Sequence, residues 1–370
     1  MAELLKDIYD EAFLTGFGQK VLKAYREFDP EGFSASVFND GWEQLTLKER
    51  INHIAAVLGR YLPANYEDAL KILFSIDKDC SGFPYLFFPQ FVVIYGQGDE
   101  HWELSMGALE RFTRLSSSEF AIRPFILKDP KRVMKRMKKW AKHPNEHVRR
   151  LSSEGCRPRL PWGESLPLFK KDPSQVLSIL EQLKEDPSLY VRKSVANNLN
   201  DISKDNPLAV IQTAGRWLGA NQHTDWIARQ GCRTLIKNGN AEALKMFGYA
   251  AAGNGALLVQ GASIAAKPAK LKIGESCEIN YSLSIREGSP VHVRIEYAID
   301  FVKARGKCSH KLFLLSDKTV AGGATIKGTH KHSFADLSTR RHYPGVHRLL
   351  LVVNSQEAAA AEIKITEDKK

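Results

Sequence analysis

The chain has 370 residues, 43% of them hydrophobic, and a formal net charge of +11. That length is expected to divide into two or three domains with ordinary cores. Acids and lysines interrupt every apolar stretch, which argues against a signal peptide or a transmembrane helix. Five cysteines (Cys80, Cys156, Cys232, Cys277, Cys308) stand singly, without CxxC pairs or histidines at metal spacing. Free thiols in a cytosolic protein are therefore expected, and a structural zinc is not.

In chain order, Leu4, Leu5, Ile8, Phe13, Phe17, Val21 and Leu22 recur at helical spacing over residues 1–25. A turn at Asp29-Pro30 follows, then an amphipathic helix over Leu47 to Tyr61. Helical patterns continue over Tyr66 to Phe74, Leu86 to Tyr95 and Trp102 to Leu115, separated by Gly and Pro. The aromatics of Phe83 to Val92 are expected in the core.

Residues 129–155 and 172–198 are two copies of one unit. Asp129-Pro130 opens a helix ending near His143-Pro144, followed by Val148-Arg149-Arg150. Asp172-Pro173 opens one ending near Asp186-Pro187, followed by Val191-Arg192-Lys193, with every landmark displaced by 43 residues. That is the period of a two-helix HEAT-type repeat, which buries its apolar face only by stacking on its neighbours. A third copy opens at Asn206-Pro207 and returns at Trp226-Ile227-Ala228-Arg229, so the helical array is expected to reach about residue 252. Between Arg123 and Arg159, thirteen Lys and Arg face three acids, a net +10. Basic residues recurring at repeat spacing favour a groove that tracks phosphates, whereas Lys131 to Lys142 alone fit a solvated helix face equally well.

After Gly253 the pattern alternates. Cys277 to Ile285, Val291 to Ile299, Leu312 to Leu315, Ala324 to Lys327, Lys331 to Phe334, Val346 to Val353 and Ala360 to Ile365 read as seven short strands, which suggests an immunoglobulin-like β-sandwich. The expected fold is an α-solenoid of HEAT-like repeats over residues 1–255, followed by a sandwich over 266–370.

Three carboxylates are candidates for chemistry: Glu119 after Ser116-Ser117-Ser118, Glu154 in Ser152-Ser153-Glu154-Gly155, and Asp201 after Asn197-Asn198-Leu199-Asn200. In repeat register the counterparts of Glu154 are Asn197 and Arg233. An acid in the most basic copy repels a phosphate backbone, which argues for another task. Each acid also has a plain structural reading: Glu119 as a helix N-terminal charge, Glu154 as the partner of Arg150 or Arg157, and Asp201 as a turn residue.

Three segments, Glu119-Phe120-Ala121-Ile122-Arg123-Pro124-Phe125, His143 to Gly155 with Arg157-Pro158-Arg159-Leu160-Pro161-Trp162, and Val191 to Asp201, together resemble the alkylpurine DNA glycosylases of the HEAT-like repeat superfamily. The resemblance is to the AlkC branch, which joins such repeats to a C-terminal immunoglobulin-like domain, and it covers most of the chain. It implies hydrolysis of the N-glycosidic bond of cationic alkylated bases, 3-methyladenine and 3-methylcytosine, in duplex DNA, initiating base excision repair without drawing the base into a pocket. It further implies that Glu154 and Asp201 face the sugar and the water, that Glu119 completes the acidic cluster, and that Trp162 packs against the deoxyribose. Arg123, Arg149, Arg150, Arg157, Arg159, Arg192, Lys193, Arg229 and Arg233 would hold phosphates. Neither cofactor nor metal is expected, and the partner is double-stranded DNA. A cytoplasmic monomer associated with the nucleoid is the expected state. The alternative is a non-catalytic HEAT scaffold that binds nucleic acid or an acidic protein, which leaves the groove acids unexplained.

Overall fold

The computed structural model describes residues 5–39, 41–249, 258–304, 306–337 and 340–367. The chain divides into two compact units, Met1–Gly231 and Cys232–Lys370. The expected ends of the helical array, at residues 252 and 255, lie outside the described residues.

The first unit is helical: α1 (Glu11–Ala24), α2 (Pro30–Val37), α3 (Leu47–Tyr61), α4 (Tyr66–Ile76), α5 (Phe87–Tyr95), α6 (Trp102–Thr113), α7 (Ile122–Lys128), α8 (Pro130–Trp140), α9 (Glu146–Glu154), α10 (Pro167–Lys171), α11 (Ser174–Leu183), α12 (Leu189–Ile202), α13 (Pro207–Trp217) and α14 (Gln222–Gly231). The helix expected over residues 1–25 starts only at Glu11. A short 3-10 turn, Leu5–Ile8, precedes it, and Asp10 intervenes as an N-cap whose carboxylate accepts from Phe13 N at 2.7 Å. Asp-Pro punctuation works the same way further on: Asp29 accepts from Gly32 N and Asp129 from Arg132 N, both at 3.0 Å, while proline takes the first helical position. Phe87, Phe88 and Phe91 are buried, as expected of core aromatics.

The repeats stack in two layers. First helices α8, α11 and α13 form one, and second helices α9, α12 and α14 form the other, with α12 packed on both α9 and α14. A side chain at Gly231 would meet Leu199 Cβ at 2.8 Å, so the closeness of α14 to α12 depends on glycine there. Equivalent residues of successive repeats make equivalent contacts. Arg149 Nη1 donates to the carbonyls of His143 (3.0 Å) and Pro144 (2.7 Å), and Arg192 Nη1 donates to those of Asp186 (2.7 Å) and Pro187 (2.8 Å). Each arginine braces the turn between the two helices of its own repeat.

Among the described residues of the second unit, α15 (Arg233–Lys237) and α16 (Ala241–Met246) precede eight strands: β1 (Val259–Lys267), β2 (Lys270–Lys272), β3 (Ser276–Ile285), β4 (Val291–Val302), β5 (Cys308–Val320), β6 (Thr325–Ser333), β7 (Gly345–Val353) and β8 (Gln356–Thr366). They form a three-stranded sheet, β1-β3-β6, and a five-stranded sheet, β2-β8-β7-β4-β5. Side chains such as Ile279, Leu283, Ile295, Ile299, Leu349 and Ile363 fill the space between them. Two expected runs, Ala324 to Lys327 and Lys331 to Phe334, are one strand, because β6 pairs continuously with β3 from Thr325 to Ser333. The run Leu312 to Leu315 is the centre of a thirteen-residue strand. The strands β1 and β2 were not legible, since β1 is rich in Ala, Gly and Ser and largely exposed. All five cysteines are free.

Between the sheets, His332 lies among the rings of Phe301, Phe313 and Phe334, with Tyr297 Oη 2.9 Å from its Nδ1. Burial, reinforced by Arg340 and neighbouring histidines, holds its pKa down to about 4. The unfolded imidazole takes a proton near pH 6.5 and the folded one does not, so the stability that His332 contributes is lost as pH drops from about 6.5 to about 4, with no further loss from this residue below. The loss over that window should reach about 3 kcal/mol, measured by urea unfolding of the second unit's strand signal. An equal loss in His332→Phe would rule out His332 as its source.

Candidate active site

Three elements converge in the first unit. The segment before α7 carries Glu119, the end of α9 carries Glu154, and the last turn of α12 carries Asp201. Two arginines join these acids into a chain of alternating charge. Arg150 Nη1 lies 2.6 Å from Glu119 Oε2, and its Nη2 lies 3.6 Å from Glu154 Oε1. Arg157 Nη1 donates to Glu154 Oε1 at 2.6 Å, and its Nε donates to Asp201 Oδ2 at 2.8 Å. Lys204 closes the chain on Asp201 Oδ1 at 3.1 Å.

Hydroxyls add further donors: Ser117 shares the Glu119 oxygen that faces Arg150, and Ser194 takes the second oxygen of Glu154. Ser117 Oγ donates to Glu119 Oε2 at 2.9 Å, and Ser194 Oγ donates to Glu154 Oε2 at 2.5 Å. Arg150 also lies over the Tyr190 ring, 4.6 Å from its centroid. The side chains of Glu154, Arg157 and Asp201 are 7%, 9% and 3% exposed, so the chain is largely withdrawn from water. Burial works against the charge of both arginines, but the adjacent carboxylates outweigh it and hold their pKa values above the ordinary guanidinium value.

Glu119 and Glu154 line a cleft of about 470 Å³ with Arg157, Phe83, Phe120 and Trp162. Trp162 is 59% exposed and has φ of 61°, a left-handed backbone conformation rare for a bulky residue. The conformation is held by Lys48 Nζ, which donates to Trp162 O at 2.8 Å, and by Gly163 N, which donates to Leu160 O at 3.0 Å. Asp201, expected to face the sugar and the water, does not line this cleft. It lies between Arg157 and Lys204 with both oxygens engaged.

Several expected phosphate ligands are placed otherwise. Arg123 is 1% exposed and donates to the carbonyls of Glu164, Gly155 and Arg157, so it is a strut beneath the Gly155 to Glu164 loop. Among the described residues its guanidinium meets carbonyls and no carboxylate, and burial lowers its pKa to about 10. Arg149 adds to its turn contacts a two-pronged bond to Asp186, at 2.6 and 3.0 Å. Arg150 and Arg157 are committed to the acids. Arg159 is exposed and paired with Asp205 at 2.8 and 2.6 Å, and Lys193 is exposed on α12. Arg229 is half-buried on α14. Arg233 does not share a helix with it, because the third copy's second helix ends at Gly231 and Arg233 opens α15 in the other unit. For Arg149 the geometry predicts a structural role. Arg149→Ala should destabilise the first unit by about 2 kcal/mol in urea unfolding while leaving the salt dependence of duplex binding within about one phosphate equivalent of wild type. A large drop in salt slope with unchanged stability would contradict it.

Sequence reasoning did not find Ser117, Tyr190 or Ser194. For Tyr190 a signal existed: His147 occupies the same register one repeat earlier, and the two rings meet edge to face at 5.6 Å. Among the described residues, no group of three His, Cys, Asp or Glu is arranged to hold a metal, and no helix is long and apolar enough to cross a membrane.

Stacked helix pairs that carry a buried carboxylate–guanidinium chain beside a cleft, in a chain that continues into an immunoglobulin-like sandwich, define a HEAT-like repeat protein with an appended β-domain. Residues 116–235 match the family described as DNA alkylation repair enzyme, and residues 260–367 match the C-terminal Ig-like domain of uncharacterised protein YhaZ. Uncharacterized protein YhaZ of Bacillus subtilis (strain 168) is 44% identical over 361 residues, covering 98% of this chain and 99% of that protein. A solved structure of Pseudomonas fluorescens alkylpurine DNA glycosylase AlkC bound to DNA containing an abasic site analog matches with a TM-score of 0.92 and 37% identity, covering 98% of this chain and 100% of that one. The chain belongs to the AlkC branch of the DNA alkylation repair family.

Proposed function

We propose that this protein is a DNA glycosylase that hydrolyses the N-glycosidic bond of cationic alkylated bases, 3-methyladenine and 3-methylcytosine, in duplex DNA, and thereby initiates base excision repair without flipping the base. The observation that carries this reading is the placement of Glu119 and Glu154 on one cleft, each held against guanidinium groups beside an exposed tryptophan. A base alkylated at N3 is already positively charged and leaves without a proton. What the site must supply is stabilisation of the oxocarbenium-like sugar, and fixed carboxylates in a poorly hydrated site do that without reorganising. The alkylpurine glycosylase whose solved structure matches this chain was captured on DNA containing an abasic site analog. An abasic site is what such a reaction leaves behind.

In this reading Glu154 and Asp201 serve the sugar cation and the attacking water, and Glu119 completes the acidic cluster. Trp162 packs against the deoxyribose, where its π-face favours developing positive charge. Phosphates of a bound duplex meet Lys204, the exposed member of the network, while Arg150 and Arg157 keep the carboxylates fixed. Lys193, Arg159 and Arg229 contribute to the phosphate grip from the helical unit. The deciding experiment incubates the protein with duplex DNA treated with a methylating agent and identifies the free bases by chromatography. Release of 3-methyladenine and 3-methylcytosine supports the reading, and retention of both on the DNA overturns it.

A further inference from the structure

The candidate active site does not use the longest basic run of the chain. From Lys131 to Lys142 there is no acid. The two arginines of that run are committed to the fold: the Arg132 guanidinium lies 4.1 Å from the Trp102 ring centroid, and Arg136 pairs with Glu103. The five lysines are not. Lys131, Lys135, Lys138, Lys139 and Lys142 are all exposed, and none of their ammonium groups has a hydrogen bond or ion pair among the described residues.

Helical spacing gathers Lys131, Lys135 and Lys138 on one strip of α8, on the side opposite Val133 and Trp140, which are buried. Lys139 and Lys142 adjoin its C-terminal end. The strip edges a groove of about 310 Å³ that includes Met134 and, from α11, Gln175. Both helices belong to the first-helix layer, whereas Glu154 and Asp201 come from the second-helix layer. A duplex seated over the acids therefore leaves this strip uncovered.

We infer that the outer strip of α8 is a second phosphodiester-binding surface, which holds a DNA segment other than the one at the carboxylate cleft. The inference rests on the DNA reading above but not on the excision chemistry. From Lys131 to Lys138 the helix advances roughly 10 Å, a length over which a duplex presents about six phosphate charges. Flexible, unpaired ammonium groups suit a backbone met in no fixed register, and the neutral amide of Gln175 adds no repulsion. Two surfaces on one protein would let it hold undamaged DNA while the cleft samples a neighbouring segment.

The test counts duplexes per protein. Full-length protein is titrated at low salt with a short undamaged duplex, and the mass of the complex is read by sedimentation. Wild type should bind two duplexes, and the K131Q/K135Q/K138Q/K142Q variant only one, with the second event weakened at least tenfold. Single-turnover excision should be unchanged in that variant, since none of these lysines touches the cleft, and circular dichroism checks that it folds. A single duplex on wild type, or two on the variant, overturns the inference. So does displacement of the second duplex by a poly-glutamate peptide under conditions where excess unlabelled duplex does not displace it, which would mark the strip as a site for an acidic protein. Two duplexes on a protein that excises nothing would support this inference while defeating the proposed function.

Discussion

Glu154→Gln and Asp201→Asn should each lower single-turnover excision of 3-methyladenine by roughly 10²-fold or more, about 2.7 kcal/mol of barrier. The amide keeps the shape of the carboxylate and an acceptor for Arg157, so packing is retained; Asp201→Asn gives up, besides the charge, the bond from the half-exposed Lys204. Affinity for undamaged duplex should hold or rise, because the positive charge of Arg157 and Lys204 is less offset once an acid is neutral. The contrast between the two readouts is informative: a positioning defect would weaken both, whereas loss of transition-state stabilisation lowers the rate alone. Unchanged rates in both variants would remove these two acids from the mechanism.

The largest effect on stability is expected at Arg157. Its guanidinium is the shared partner of Glu154 and Asp201, and all three side chains are withdrawn from water. Arg157→Met is close in volume but strands two carboxylates, with Arg150 at 3.6 Å left for one and Lys204 for the other. Removing one member of a buried ion network typically costs about 3–5 kcal/mol, since the remaining charges keep their desolvation penalty without the attraction. Urea unfolding of the first unit should show a loss of that size, and the double variant Arg157→Met/Glu154→Gln should recover part of it. A loss below about 1 kcal/mol in the single variant would mean that water reaches the chain.

The repeat architecture was legible because it is written as periodicity. The Asp-Pro signals at Asp29, Asp129 and Asp172 are local chemistry, and the 43-residue spacing of Arg149 and Arg192 predicts that they occupy equivalent places, as their equivalent turn contacts show. Their role was not legible. An arginine at repeat spacing reads as a groove cation until its long-range partner is known, and Asp186 for Arg149 or Asp205 for Arg159 is set by tertiary packing. The three acids were identifiable by their oddity in a basic setting. Their ordering by two arginines was not, because Glu119, Arg150 and Asp201 lie on different elements. Arg233 was misplaced for a related reason: a register carried forward from two regular copies does not register the helix end at Gly231.

Trp162 stands in a backbone conformation that glycine adopts freely and tryptophan does not, at a typical penalty of about 1–2 kcal/mol. Selection for robustness alone would replace it. Trp162→Gly should therefore give a more heat-resistant protein that repairs poorly, and a screen for thermal tolerance would drift away from competence at this residue. Hardening this protein would have to leave Trp162 alone and seek its gains elsewhere.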